Sequence, residues 1–147
     1  MTPSLPDILL GQTLAITSPQ PPEAGADYAA SRFGLIATLS LIAVQEAEKG
    51  PAARLWENGA LRELFGEAAK DFDAELGGDL GRLAASEDED LTWSGLDRAN
   101  ADLRRALIRL HAAAEDRADG ALDRRILALY QAMAKARRLE LPQSITG

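Results

Sequence analysis

The chain contains 147 residues, with 23 acidic and 16 basic side chains, a formal net charge of −7, one histidine and no cysteine. These proportions are typical of one soluble globular domain, and they exclude a disulfide-rich scaffold, a cysteine-based zinc site and a chain too polar to fold. The net negative charge also argues against nucleic-acid binding, because phosphate repels an acidic surface. The 13 Arg against 3 Lys are typical of a GC-rich bacterial genome.

Residues 1–25 contain five of the seven prolines and therefore cannot form one regular element. The stretch from Pro6 to Ile16 is rich in leucine and isoleucine and predicts a short helix. This helix is too apolar to lie in water, so we expect it to pack on the body of this subunit or of another. No basic residue precedes Arg32, so no signal peptide is predicted and we expect a cytoplasmic protein.

The first long helix is predicted from about Tyr28 to Lys49, with Asp27 as its N-cap. Its apolar residues surround the helix, which predicts burial on most sides. The uncharged run Phe33 to Val44 has 12 residues, fewer than the ~18 needed to cross a bilayer, so we expect no membrane contact. Gly50-Pro51 is expected to end this helix and begin the next. A narrower face carries Ser31, Gly34, Thr38 and Gln45, which would allow another backbone to approach.

The second long helix is predicted to begin at Pro51 and to kink or turn at Asn58-Gly59. It then continues as an amphipathic helix, since apolar residues recur at spacings of 3, 4, 7 and 11 from Leu61. Those inward residues are Leu61, Leu64, Phe65, Ala68 and Phe72. Gly77-Gly78 is expected to stop the helix, and residues 79–85 to add one or two helical turns.

The acidic segment Ser86 to Asp90 is predicted to be a solvated loop or a contact for a basic partner. Calcium binding there is not expected, because adjacent carboxylates lack the alternating ligands and the glycine of known calcium loops. The following helix has two possible N-caps, Ser94 with Asp97 in capping-box spacing, or Thr92. It is expected to reach Ala118, and a turn at Asp119-Gly120 leads to a last helix from Ala121 to about Leu139. Inward positions on these two helices are Leu96, Leu103, Leu107, Leu110, Ala114, Leu122, Ile126, Leu129, Tyr130 and Met133.

Four substantial helices joined by short connections predict an all-α protein, an antiparallel bundle of four to five helices. The expected organisation is a Pro-rich N-terminal arm at 1–25 packed on the body, a single bundle domain at 26–141 and a tail at 142–147. Residues 1–97 carry a net charge of −11 and residues 98–147 a net charge of +4. We expect these opposite charges to pair within the chain or with a second subunit.

The strongest candidate binding residues lie on the helix that follows Thr92. Asn100, Arg104, His111 and Glu115 fall within about 60° of one another on a helical wheel, beside the apolar face. Arg104 could bind a carboxylate or phosphate bidentately, and Glu115 could orient the His111 imidazole. The same four residues are also compatible with an ordinary boundary between apolar and polar faces.

No pattern for catalysis is present. A serine-nucleophile elbow is missing, and a di-metal bundle site would need a second histidine. We therefore predict no catalytic residue, metal site or cofactor. The predicted function is a non-catalytic helical module that forms a homodimer or binds a protein partner, without nucleic acid or membrane. The alternative is a small-molecule-binding or catalytic bundle with an anionic ligand at Asn100, Arg104 and His111.

Overall fold

The computed structural model describes residues 5–18 and 25–140, and this part of the chain is all-helical, as the sequence predicts. The elements are α1 Leu5–Thr17, α2 Ala26–Ala68, a single 3₁₀ turn at Ala69–Asp71, α3 Ala74–Ala84, α4 Trp93–Asp116 and α5 Gly120–Ala136. The predicted tail at 142–147 and four of the five prolines of the predicted arm, Pro3, Pro19, Pro21 and Pro22, lie outside the described residues.

The chain divides into two compact units. The first comprises Met1–Gly50 and Leu139–Gly147, and the second comprises Pro51–Arg138. Each unit has its own internal contacts and is described by itself.

In the first unit, polar side chains fasten α1 to α2. Gln12 Nε2 donates to Ile36 O and to Ser40 Oγ, and the Arg32 guanidinium donates to the carbonyl oxygens of Ala15 and Ser18. A helix leaves its last four carbonyls without partners inside the helix, and a cation is favoured at that end. Arg32 therefore serves as a C-terminal cap of the short helix that the sequence predicts.

The predicted burial of the first long helix on most sides is wrong within the described chain. Residues 29, 32, 36, 39 and 43 form a partly or fully buried stripe, which is the i, i+3, i+4 pattern of one helix face. Outside that stripe, Phe33 is 70% exposed, Leu35 53% and Val44 61%. The reason is that α1 has only 13 residues and covers one face of a helix that is apolar all round.

Two predicted helix boundaries are also wrong, because α2 runs without a break through Gly50-Pro51 and Asn58-Gly59. Pro51 lacks the N–H that would bond to the carbonyl four residues earlier, so it removes one hydrogen bond from a helix of 43 residues. Asn58 is fully buried and uses its side chain in tertiary hydrogen bonds instead of turning the chain. Tertiary contacts override the local break signal here.

The second unit contains a hydrophobic core to which α2, α3, α4 and α5 all contribute. The side chains of Leu61, Phe65, Leu107, Leu110 and Ile126 are completely buried. The helical periodicity predicts these inward faces correctly. Phe72, Leu129 and Tyr130 differ only in being partly buried at the edge of the core.

Gly77 and Gly78 lie inside α3, so the predicted stop at this pair is wrong. A Cβ on Gly77 would lie 2.4 Å from the carbonyl oxygen of Ala69 and 3.1 Å from that of Phe72. Gly77 therefore permits α3 to pack closely against the preceding 3₁₀ turn. α3 begins at Ala74, and its N-cap is Asp73, whose side chain accepts a hydrogen bond from the Leu76 N–H.

Side-chain hydrogen bonds cap the N-terminal ends of α4 and α5. Of the two predicted N-caps, Thr92 is the one observed, and its hydroxyl accepts from Gly95 N at 3.1 Å. The turn to α5 places Ala118 at φ 52°, and Asp119 then caps α5 by accepting from the N–H groups of Ala121 and Leu122. This turn brings the first turn of α5 back against the end of α4.

Candidate functional site

The first unit exposes a group of large apolar side chains, here named the apolar surface. Its members on α1 and the first part of α2 are Leu9, Leu10, Leu14, Ile16, Tyr28, Phe33, Leu35 and Val44. Scattered exposed apolar residues are normal, but eight on two packed helices form a concentration that usually marks an interaction site. A depression with a volume of about 160 Å³ lies between the two helices, and Ile16 and Phe33 contribute to its lining.

The same part of α2 meets a length-and-composition criterion for membrane spans. Asp27–Asp71 contains a stretch long and apolar enough to cross a membrane, with almost none of it buried. Buried core helices of soluble proteins can have the same length and composition, so these two properties alone are weak evidence for a membrane span. The prediction that the chain contacts no membrane therefore remains a prediction.

The predicted binding residue Asn100 lies in a buried polar network in the second unit. Its Nδ2 donates to Glu57 Oε2 at 3.0 Å and to Asn58 Oδ1 at 2.9 Å. Arg137 donates to both carboxylate oxygens of Glu57 at 2.6 Å and to Asn100 Oδ1 at 2.8 Å. Glu57, Asn58 and Asn100 are at most 2% exposed, so these hydrogen bonds replace the water they have lost.

The network continues to the acidic segment after α3. Asn58 Nδ2 donates to Asp88 Oδ1 at 2.9 Å, and Arg62 binds both Asp88 oxygens at 2.8 and 2.9 Å. The Arg62 hydrogen bonds hold the pKa of the Asp88 carboxyl below its usual value, and those with Asp88 raise the pKa of Arg62. Because the Asp88 side chain is 8% exposed, the expectation of a solvated loop fails at this residue, whereas Glu87 and Glu89 are exposed.

A second charged contact lies at the start of α4. Arg54 is 1% exposed, donates from Nε to Asp97 Oδ1 at 2.9 Å and stacks its guanidinium 3.8 Å from the centre of the Trp93 ring. The buried Trp93 indole N–H has no hydrogen-bond partner among the described residues. Asp97, which the sequence places in a capping box, therefore serves as an ion-pair partner of α2.

The other three predicted residues, Arg104, His111 and Glu115, lie around Tyr130 of α5. The imidazole of His111 has its ring centre 5.7 Å from that of Tyr130, and Arg104 and Glu115 both interact electrostatically with the Tyr130 hydroxyl. Burial raises the pKa of Tyr130, so its hydroxyl stays protonated at neutral pH. Asn100 is distant from this group, because 11 residues of α-helix place it about 16 Å from His111 along the helix axis.

His111 has a partner that the sequence analysis did not assign. Its Nε2 lies 2.9 Å from Asp123 Oδ1 on α5 and 3.9 Å from Glu115 Oε1 on its own helix. Donor atoms of these three residues all lie within 4.8 Å of one another, an arrangement that could hold a metal ion. The short Asp119-Gly120 turn could have indicated Asp123, because it returns α5 along the last turns of α4.

Several basic residues of the C-terminal helices form ion pairs within the second unit. Arg109 of α4 donates to Asp79 of α3, and Arg125 of α5 donates to Glu67 of α2. Together with the Arg137–Glu57 pair, these contacts join the basic helices to acidic partners of the same chain. Intrachain pairing is therefore observed at these arginines, and pairing with a second subunit, the other option that the charge pattern left open, stays a prediction.

Comparison with known proteins gives no assignment: no protein-family model matches the chain, and neither a curated protein nor a solved structure matches it. The class that the structure defines is an all-α protein with an exposed apolar surface in one unit and a buried polar network in the other.

Proposed function

We propose that this protein is a non-catalytic helical self-association module in which a second copy of the chain covers the apolar surface. The observation that carries the proposal is the exposure of eight large apolar side chains on α1 and the first part of α2. The proposal keeps the predicted antiparallel order of neighbouring helices and the Pro-rich N-terminal arm. The arm contains α1 and would supply part of the interface.

The polar groups on these helices favour a protein partner over a bilayer. The membrane-compatible stretch includes Arg32, and α1 and α2 present Gln12, Thr13, Thr38 and Ser40 beside the apolar residues. Hydrocarbon penalises the charged Arg32 most strongly, whereas a protein interface accommodates charged and polar groups through hydrogen bonds or trapped water. Thr38 is exposed, and a Cβ on nearby Gly34 would meet no atom within 4 Å, so a second backbone could approach there.

The energetic gain from covering this surface is sufficient for a stable dimer. Full burial of a large apolar side chain contributes about 1.5–3 kcal/mol, and these side chains are already about half buried. A symmetric dimer buries the surface of both copies, so these side chains offer up to roughly 16 kcal/mol, against about 4–15 kcal/mol that association costs. Because apolar burial supplies this gain, the association should depend little on salt.

Sedimentation equilibrium of the full chain tests the proposal, with a dimer expected at twice the 15.7 kDa of one chain. The double variant Phe33→Gln/Val44→Gln removes two highly exposed side chains, so the fold of one chain should be unaffected. The dimer carries the change in both copies, so four side chains lose their burial at the interface, about 6 kcal/mol, which should weaken dimerisation about 10⁴-fold.

The matched control is Leu91→Gln/Ile108→Gln, which removes two side chains of similar exposure from the second unit. This control should leave the dimerisation constant unchanged. A strict monomer at high concentration would overturn the proposal, as would a dimer that both double variants weaken equally. Co-sedimentation of the monomer with phosphatidylcholine–phosphatidylglycerol vesicles would identify a bilayer as the occupant and would also overturn it.

A further inference from the structure

The second unit contains a group of three side chains that the self-association proposal does not use. They are His111 and Glu115, four residues apart on one face of α4, and Asp123 in the first turn of α5. We propose that these three residues form a binding site for a single divalent transition-metal ion, with Zn²⁺ as the best fit.

The distances fit an ion between the donors. Zinc bound to imidazole nitrogen and carboxylate oxygen at its usual bond lengths, in tetrahedral geometry, places its ligand atoms about 3.3 Å apart. The observed separations from His111 Nε2 are 2.9 Å to Asp123 Oδ1 and 3.9 Å to Glu115 Oε1. Rotation of the exposed Glu115 side chain can bring its carboxylate to that separation, and the His111–Asp123 pair needs to widen by about 0.4 Å.

The position of the group combines fixed ligands with access from solvent. The His111 side chain is 21% exposed and Asp123 34%, so the two helices restrict their rotamers. Glu115 is 67% exposed, which leaves a path for an ion to enter and an open coordination position for water. The Tyr130 ring lies beside the imidazole, with the two ring centres 5.7 Å apart.

The donor chemistry selects the kind of ion. Imidazole nitrogen suits zinc, copper, iron and nickel, whereas magnesium and calcium prefer sites made wholly of oxygen. Two carboxylates and one imidazole carry a charge of −2 that a divalent ion neutralises. Because the chain has one histidine and no cysteine, no competing set of nitrogen and sulfur ligands exists in this sequence.

Isothermal titration of the tag-free, metal-stripped full chain with Zn²⁺ tests the site. One ion should bind per chain, Mg²⁺ should bind far more weakly, and Co²⁺ should develop a visible absorption band. The single imidazole also gives an unambiguous nuclear magnetic resonance signal, which should shift on addition of Zn²⁺. A metal-binding tag must be absent because it would supply further histidines.

Two variants separate a metal site from an ordinary ion pair between helices. Glu115→Gln and Asp123→Asn keep side-chain size and each should lower Zn²⁺ affinity at least tenfold, the smallest loss typical of residues that merely support metal ligands. The control is Asp116→Asn, an exposed neighbour with the same change in charge and no donor in the group. Because Glu115 is largely exposed, its variant remains informative even if Asp123→Asn unfolds.

Failure to bind Zn²⁺, or binding that Glu115→Gln and Asp116→Asn affect equally, would overturn the proposal and leave His111–Asp123 as a structural hydrogen bond. These measurements are independent of the oligomeric state, so their failure is distinguishable from failure of the self-association proposal.

Discussion

Glu57 is the residue at which the buried network is most sensitive to a single change. Its carboxylate is 0% exposed and accepts three hydrogen bonds, two from Arg137 and one from Asn100. The substitution Glu57→Gln keeps the size of the side chain but replaces one oxygen with an NH₂ group. We expect it to destabilise the second unit strongly while preserving its fold.

The magnitude follows from the three hydrogen bonds. The amide oxygen is best placed at the Oε2 position, where donors of Arg137 and Asn100 converge, which leaves the amide NH₂ facing Arg137 Nε. One charge-assisted hydrogen bond is then lost, worth about 1.5–3 kcal/mol, and Arg137 loses its neutralising charge. Breaking a buried ion pair costs about 3–5 kcal/mol, and the 16% exposure of the Arg137 side chain favours the lower end, near 3 kcal/mol.

Urea unfolding followed by tryptophan fluorescence measures this loss, because both tryptophans, Trp56 and Trp93, belong to the second unit. With a urea dependence of about 2 kcal/mol per molar, the unfolding midpoint should fall by about 1.5 M. Glu63→Gln is the matched control on the same helix, since Glu63 is exposed and its change should stay within about 0.5 kcal/mol. Equal losses in the two variants would refute the assignment of a structural role to the network.

Three further predictions concern local contacts. The pKa of Asp88 is lower in the folded than in the unfolded chain, so its ionised carboxylate stabilises the fold. This stabilisation is present above the unfolded pKa of about 3.9 and is lost as pH falls through the folded pKa. Asp88→Asn should therefore lower the free energy of unfolding at pH 7, and the difference from the parent chain, measured by urea unfolding, should shrink in acid. Gly77→Ala should lower the free energy of unfolding by about 1–3 kcal/mol, because the new Cβ meets backbone carbonyl oxygens. Gly78→Ala places its Cβ in open space and should raise the free energy of unfolding by up to about 1 kcal/mol. Thermal unfolding that shifts in the same direction for both variants would refute the packing argument. Thr92→Ala should lower the free energy of unfolding by about 1 kcal/mol and Ser94→Ala by much less, since Thr92 provides the observed N-cap. A larger loss for Ser94→Ala would assign the cap to Ser94.

The apolar core of the second unit could be predicted from the sequence because it depends on one regular spacing. Leu103, Leu107, Leu110 and Ala114 recur at three or four residues on α4, and all of them are buried. A helix with one apolar stripe has one way to bury it, so the pattern determines the face without knowledge of the partner helices.

The buried network could not be predicted in the same way. Asn58 followed by glycine is a common turn signal, and only the approach of Asn100 and Asp88 from distant parts of the chain gives its side chain another role. Arg137 lies in a basic stretch whose neighbours Lys135 and Arg138 are exposed, so its pairing with Glu57 leaves no mark in the local sequence. Long-range polar partners depend on helix packing, which periodicity alone does not specify.

The first part of α2 shows a different limit of sequence reasoning. An apolar residue on every face indicates that a helix needs cover on every side, but it does not state which molecule supplies the cover. In the described chain α1 supplies one stripe, and Phe33, Leu35 and Val44 remain exposed on the rest. Among the described residues, the first unit exposes eight large apolar side chains and the longer second unit exposes five, so exposed apolar surface is denser in the first. The apolar residues on all faces of the first part of α2 predicted burial inside one subunit. Because they are exposed instead, they are the strongest reason to expect that a second subunit covers them.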